Sequence, residues 1–374
     1  MSSATSATSE FVGDGETQLA PPTLTPAQIT AGLLYSDWWW GASSFTYSIP
    51  GVGAAWSGYS ASTQPTTDYS TFSAAQATQF RAAIAAWDRL IAPNFTETSD
   101  TAAPGNVRIA FTSFDMATSW GYAYAPAYRG GASTALAGDI WVSNDYVGSA
   151  FAAGSYDYEA LLHEIGHAIG LKHSFQAPAI PAEYDTNRFT VMTYTQIPDT
   201  RYYIVPNGGS IQGRASYVQA ATPMVLDIAA IQARYGADAT TASGDTVYTF
   251  NQADTFLQAI YDAGGTDTLD LSSFTRRNEI DLRPGAYSSL GLWTAAEQVA
   301  YWQAQFPGYN SFIAGWIDQA DTYTWHDNVG IAFATVIENA TGGSAGDTIV
   351  GNDVANVLRG GGGDDTLWGG LGND

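Results

Sequence analysis

The chain has 374 residues, 45% hydrophobic and 13% aromatic, enough for two ordinary domains and a sizeable core, and not the composition of a disordered protein. Its 36 acidic residues against 13 basic ones give a formal charge of −23, which makes nucleic acid and anionic membrane surfaces poor partners and fits a protein that binds several divalent cations. With no cysteine there is neither a disulfide nor a thiolate ligand, no Sec-type signal opens the chain, and no apolar run approaches membrane-spanning length.

Residues 1–20 are rich in Ser, Thr, Ala and Gly and read as a flexible tail or short pro-segment. Globular patterning begins at Thr25. Trp38, Trp39 and Trp40 precede a strand at 45–50. Phe80, Ile84, Trp87, Leu90 and Ile91 keep helical spacing within 72–91, with Ser73 as the cap. Segments 107–111 and 139–142 read as strands, 158–170 as a helix, and 223–235 as a further helix after a long turn-rich passage. Strands and helices in this order predict an α+β domain over 21–240. After Gly236, short strand-like pieces such as 245–250 and 268–271 alternate with Gly, Asp and Asn turns, which predicts an all-β domain over 241–374.

Three of the four histidines lie in one run, 163–173. On a helix, His163 and His167 leave the same face one turn apart. Gly170 can take the positive-φ conformation that ends a helix, and the turn would return His173 to the same point. Three neutral nitrogen donors with one open position are what a catalytic zinc site requires. Glu164, beside the first ligand, is placed to take a proton from water there. An HExxH core alone arises in ordinary amphipathic helices; the glycine and third histidine make the extended metzincin pattern, which is far more specific. Downstream, Met192 sits in a tight turn within 189–194, as the metzincin Met-turn does, and its thioether is expected to pack under the histidines. Tyr194, two residues on, is either one more core aromatic among 22 tyrosines or a phenolic zinc ligand and hydrogen-bond donor; its place after Met192 favours the second.

In the C-terminal part, Gly342, Gly351, Gly360 and Gly369 stand nine residues apart. Asp347, Asn356, Asp365 and Asp374 hold the sixth place of that period, and Ile349, Leu358 and Leu367 the eighth. Such a nonapeptide builds a calcium-binding parallel β-roll, with glycines exposing carbonyls, aspartate supplying a hard oxygen and the aliphatic residue filling the interior. Asp347, Gly360, Gly362, Asp365, Gly369 and Asp374 are the expected calcium ligands there. The first repeat has Ala345 for a glycine and the second, 351–359, is degenerate. The sequence stops six residues into a repeat, so a longer or processed natural chain is expected.

With zinc signature and calcium repeats in this order, the chain resembles the serralysins, zinc endopeptidases of the metzincin group secreted by Gram-negative bacteria. The runs HEIGHAIGLKH, DTNRFTVMTY, LDIAAIQARYGAD, SGDTVYTFN, DAGGTDTLDLS and VIENATGGSAGDTIVGNDVANVL carry the likeness from about residue 40 onward. The resemblance implies that Tyr194 binds zinc at rest and swings away to hydrogen-bond the oxyanion. It implies one calcium site at Gly244, Thr246, Asp262, Gly264 and Asp267, and another at Gly265, Asp267 and Glu338, though spacing near Thr335 differs slightly. Lys172, Ser174 and Phe175 replace the family's small residue before the third histidine and proline after it, a change expected to reshape the primed-side pocket. Residues 292–327, rich in Trp, Tyr and Phe, look like an insertion, read as a packed cap on the β-roll in preference to an extra binding surface.

The expected function is a calcium-stabilised, zinc-dependent endopeptidase acting on protein or peptide substrates, with Glu164 as general base. Substrate is expected to pair with an edge strand formed by Asp139, Ile140, Trp141, Val142 and Ser143. The resemblance and the missing Sec signal together imply an extracellular monomer exported by the type I route without membrane insertion. Two alternatives stand beside it: a calcium-dependent surface or adhesion protein with a non-catalytic protease-like domain, and another zinc hydrolase such as an amidase.

Overall fold

The computed structural model describes residues 20–41, 43–60, 65–132 and 134–374; the tail or pro-segment read at 1–20 lies outside them but for its last residue. By its internal contacts the chain divides into one unit of 24–195 with 219–241 and another that takes 196–218 with 242–374.

In the first unit, α1 (Pro26–Leu33) begins at a capping box of Thr25 and Gln28, and α2 (Ala74–Asp88) at one of Ser73 and Gln76. One five-stranded sheet contains β1 (Ser44–Ser48), β2 (Asn94–Glu97), β3 (Val107–Thr112), β4 (Gly121–Ala123) and β5 (Asp139–Ser143), in the order β2-β1-β3-β5-β4. All pairings are parallel except β4 on β5. The helically spaced residues Phe80, Ile84 and Trp87 are buried, each contributing about 1.5–3 kcal/mol of hydrophobic stabilisation. The Trp87 indole also donates to the Leu162 carbonyl at 3.2 Å, tying α2 to α3 (Tyr156–Ala168). A last helix, α4 (Val225–Tyr235), closes the unit.

One expectation is corrected here. Asp139, Ile140, Trp141, Val142 and Ser143 form β5, but β5 lies between β3 and β4 and is buried at every position. A run without alternation marks a strand covered on both faces and both edges, not an edge. The edge belongs to β4, whose three residues are too few to show a period.

The second unit opens with a hairpin inside the passage read as turn-rich. Strands β6 (Thr200–Asn207) and β7 (Ser210–Tyr217) are joined by Gly208 and Gly209 at φ 54° and 87°, a two-residue turn whose positive φ glycine adopts without strain. The roll follows: β8 (Val247–Thr249), β9 (Gln258–Ile260), β10 (Thr268–Asp270), β11 (Glu279–Asp281) and β12 (Tyr287–Ser288), then β13 (Val329–Ile331), β14 (Asn339–Thr341), β15 (Thr348–Val350), β16 (Val357–Arg359) and β17 (Thr366–Trp368). Strands β8, β10, β14 and β16 stack in parallel, as do β11, β15 and β17. Register pairs Asn339 with Val357 and Thr348 with Thr366, eighteen residues apart, so two nonapeptides make one turn. Leu269, Ile280, Ile331, Ala340 and Ile349 fill the interior between the sheets.

The aromatic insertion contains two helices, α5 (Ala295–Gln305) and α6 (Asn310–Ile317), the first capped by Thr294 with Glu297. Ile313 and Ile317 of α6 pack with Ile204 and Tyr202 of the hairpin, and the Trp316 indole donates to the Arg214 carbonyl at 3.3 Å. The insertion's far end joins the roll, with Trp325 donating to the Asp254 carbonyl at 2.8 Å. It is therefore a bracket between hairpin and roll as much as a cap.

Candidate metal centre

Helix α3 starts at a Ser155 cap and carries His163 and His167 on its buried face. It ends where Gly170 takes φ 112°; a Cβ there would lie 2.9 Å from the Trp38 carbonyl oxygen, so both conformation and space call for glycine. The chain then turns back and delivers His173. One nitrogen from each of His163, His167 and His173 lies within 4.8 Å of the other two. The Tyr194 hydroxyl approaches His173 Nε2 at 2.8 Å. Glu164 is buried in the same place, and its Oε2 has no hydrogen-bond partner.

Carbonyls set the imidazole tautomers. His163 Nδ1 pairs with the Val191 carbonyl at 2.7 Å and His167 Nδ1 with the Leu171 carbonyl at 2.8 Å. A carbonyl only accepts, so each Nδ1 carries the proton and each Nε2 keeps its lone pair for a metal. Burial lowers the pKa of all three histidines, of His163 to about 4, so neutral ligands are the stable form at pH 7. Glu164 is pushed up to about 8 by burial alone. A buried, unpartnered carboxyl beside three neutral nitrogen donors is a place where a divalent cation fits, because its charge would favour the carboxylate.

Met192 is fully buried beneath α3, and a Cβ on Gly166 would come 2.6 Å from its sulfur. The turn that holds it is fixed from α4. Asp227 accepts from the Thr190 hydroxyl at 2.6 Å and from the Val191 and Met224 amides at 2.8 and 2.9 Å. Sequence reasoning missed Asp227 and the Val191 carbonyl, because neither has a fixed spacing from the histidines. It also missed Tyr35, whose ring centroid is 6.4 Å from that of His167. Phe175, part of the Ser174–Phe175 pair that stands in for the family's proline, stacks on His173 at 4.8 Å and 10°.

In the second unit the expected calcium residues come together. Asp267 Oδ1 accepts from the Thr246 amide at 2.8 Å, the Asp267 amide donates to Glu338 at 2.7 Å, and Asp262 accepts from the Gly264 amide at 2.8 Å. Gly265 abuts Gly244, within 2.7 Å of its carbonyl if a Cβ were added. Burial, with Asp262 and Glu338 close by, pushes Asp267 up to about 6, and its Oδ2 is buried without a partner. Crowded carboxylates of this kind fit a divalent cation bound by oxygen.

Along the roll the same cradle recurs. The side-chain oxygens of Asp347, Asp365 and Asp374 fold over Gly342, Gly360 and Gly369, where a Cβ would come within 2.1–2.3 Å. Each of these aspartates also accepts an amide from the preceding turn: Asp347 from Asn278 at 2.7 Å, Asp365 from Asp347 at 2.8 Å, and Asp374 from Asn356 at 2.9 Å. Gly362 lies against the same strand turns, its amide donating to the Gly343 carbonyl at 2.9 Å.

Three histidines turned by a glycine, a buried glutamate, a methionine turn underneath and a tyrosine alongside define a metzincin-type site. Comparison with known proteins narrows the class. Residues 58–193 match the Matrixin family model, 226–301 the serralysin C-terminal model of peptidase M10, and 341–374 the RTX calcium-binding nonapeptide repeat. The chain is 31% identical to serralysin of Photorhabdus laumondii over 324 residues, covering 78% of this chain and 56% of that one. It is 31% identical to Metalloprotease AprA of Pseudomonas entomophila over 316 residues, with the same coverage. Against Serralysin A of Dickeya chrysanthemi the identity is 32% over 307 residues, 76% of this chain and 54% of that one. By these matches the chain carries the domain set of the serralysin-type metalloproteases with RTX repeats, and it spans about half the length of these relatives.

Proposed function

We propose that this chain is a secreted, zinc-dependent endopeptidase whose roll is held by calcium. The observation that carries the proposal is the convergence of His163, His167 and His173 on the unpartnered carboxyl of Glu164. The three Nε2 atoms would hold zinc, with the Tyr194 hydroxyl as a further ligand at rest. Bound there, zinc would supply Lewis-acid polarisation of the scissile carbonyl and lower the pKa of a nearby water. Glu164 Oε2 accepts the proton of the attacking water and returns it to the leaving amine nitrogen. The Tyr194 phenol, 68% exposed, is free to reorient and donates to the developing oxyanion. Strand β4 has a sheet neighbour on one side only and packs against α3, so an extended substrate can add to its free edge.

Calcium at the Asp267, Asp262 and Glu338 cluster and along the nonapeptide cradles neutralises carboxylates that otherwise repel. Among the described residues no helix is long and apolar enough to cross a membrane. The family likeness supports an extracellular monomer delivered by type I export.

The test is Glu164→Gln, assayed on casein with zinc content measured in parallel. The expected outcome is a loss of about 10²–10⁴ in rate with zinc retained. Full hydrolysis by a zinc-loaded E164Q protein would remove Glu164 from the mechanism.

A further inference from the structure

Lys172, the chain's only lysine, and Arg234 line one cavity of about 660 Å³ in the first unit. The cavity is walled by α1 through Thr30 and Ala31, by Leu34 and Tyr35 just after it, and by the segment after His173 through Gln176 and Pro178. Neither cation forms an ion pair among the described residues. The Lys172 ammonium donates only to neutral carbonyls, of Gln176 at 2.5 Å and Pro178 at 2.9 Å. Arg234 donates one Nη2 bond to the Tyr35 carbonyl at 2.8 Å and lies over the Trp39 ring at 4.8 Å. Its Nε is buried and has no partner.

In a chain of net charge −23, two cations left without a carboxylate in one cavity are unusual. A guanidinium and an ammonium with protons to spare are a receptor for a planar, two-oxygen anion. Tyr35 joins this receptor to the histidine centre: it walls the cavity, and its ring lies 6.4 Å from that of His167. Lys172 is covalently next to His173. An anionic group held here would thus lie close to the histidine centre.

We propose that this cavity is a specificity subsite that receives the carboxylate of an Asp or Glu side chain of the peptide substrate. The proposal rests on the endopeptidase reading and adds which substrates it favours. Gln176, Ala177 and Pro178 form the floor on which the acidic side chain's methylenes lie, and the Arg234 guanidinium and the remaining Lys172 proton are the cationic donors for its oxygens.

The experiment uses pairs of C-terminally amidated peptides that differ only by Glu or Gln at one position near the scissile bond. The Glu peptide is expected to show about a tenfold higher kcat/KM at one such position. Arg234→Gln and Lys172→Gln should collapse that ratio towards unity, while Arg234→Lys keeps most of it. Ala31→Glu, on the exposed surface of α1, supplies a carboxylate from within and should abolish the preference even if R234Q or K172Q folds poorly. A second arm measures binding of the same peptides to metal-free E164Q protein, where the Glu peptide should bind tighter and A31E should remove the gap. A binding gap with no cleavage of any peptide would sink the endopeptidase reading and leave the cavity assignment standing. Normal cleavage with equal rates and equal binding for Glu and Gln peptides at every position would overturn the assignment.

Discussion

At the scale of single residues, the site works by what surrounds each titratable group. Backbone carbonyls choose the tautomer of His163 and His167, and burial keeps all three histidines neutral. Another buried group is set the same way. Asp139 is pushed up to about 7 by burial, although the Tyr59 hydroxyl donates to it at 2.9 Å and Arg108 lies nearby. The sign follows from linkage: a carboxyl whose folded pKa exceeds its unfolded one binds more protons when folded, so stability falls as pH rises between the two values. Asp139→Asn removes that titration. From pH 5 to pH 8 the wild type should lose about 2 kcal/mol relative to the variant. Denaturant unfolding at both pH values checks this, and a constant difference would contradict it.

Individual elements show what the sequence made legible and what it did not. Helices α2 and α3 were readable because caps, apolar period and histidine spacing agree. The three histidines, Glu164 and Tyr194 came from two short segments whose spacing is local. Asp227, Tyr35 and the β4 edge were not readable, because only the tertiary fold brings them to the site. The first helix of the insertion, α5, did leave a signal, the Thr294 and Glu297 capping box, hidden among aromatics that suggested mere packing. Packing of α3 on the Met-turn leads to a further prediction. Gly166→Ala gains roughly 1 kcal/mol in helix propensity. The added methyl would lie 2.6 Å from the Met192 sulfur, and such overpacking costs about 1–3 kcal/mol. The clash should win. Thermal unfolding and zinc titration are expected to show a less stable protein that binds zinc more weakly; an equal or higher melting point would mean that Met192 yields freely.

Over the whole molecule, charge and metal are linked. The net charge of −23 includes the clustered carboxylates of the roll, whose eighteen-residue turns stack Asp347 with Asp365 on one side and Asn356 with Asp374 on the other. Each calcium held at a hundred times its dissociation constant stabilises the folded form by about 2.7 kcal/mol. Chelation should therefore abolish the β signal of the second unit in circular dichroism and lower its melting temperature by many degrees. Unchanged melting in chelator would detach calcium from stability. The hairpin matters at this scale as well. The chain leaves the first unit at 195, builds β6 and β7 in the second, and returns at 219. A protein cut after Thr241 would keep that hairpin but lose Ile313 and Ile317, which cover Ile204, so aggregation of such a fragment is expected.

The roll's aspartates also give the stack a direction. Asp365 grips the amide of Asp347, which in turn grips that of Asn278, and Asp374 grips Asn356. Each later turn completes the polar contacts of the one before, while its own carboxylate waits for no later residue to be positioned. The polar contacts therefore run one way along the roll: each later carboxylate caps an amide of the turn before it. Loss of one glycine cradle, such as that of Gly360 under Asp365, would therefore be felt one turn earlier, at the Asp347 amide that Asp365 caps.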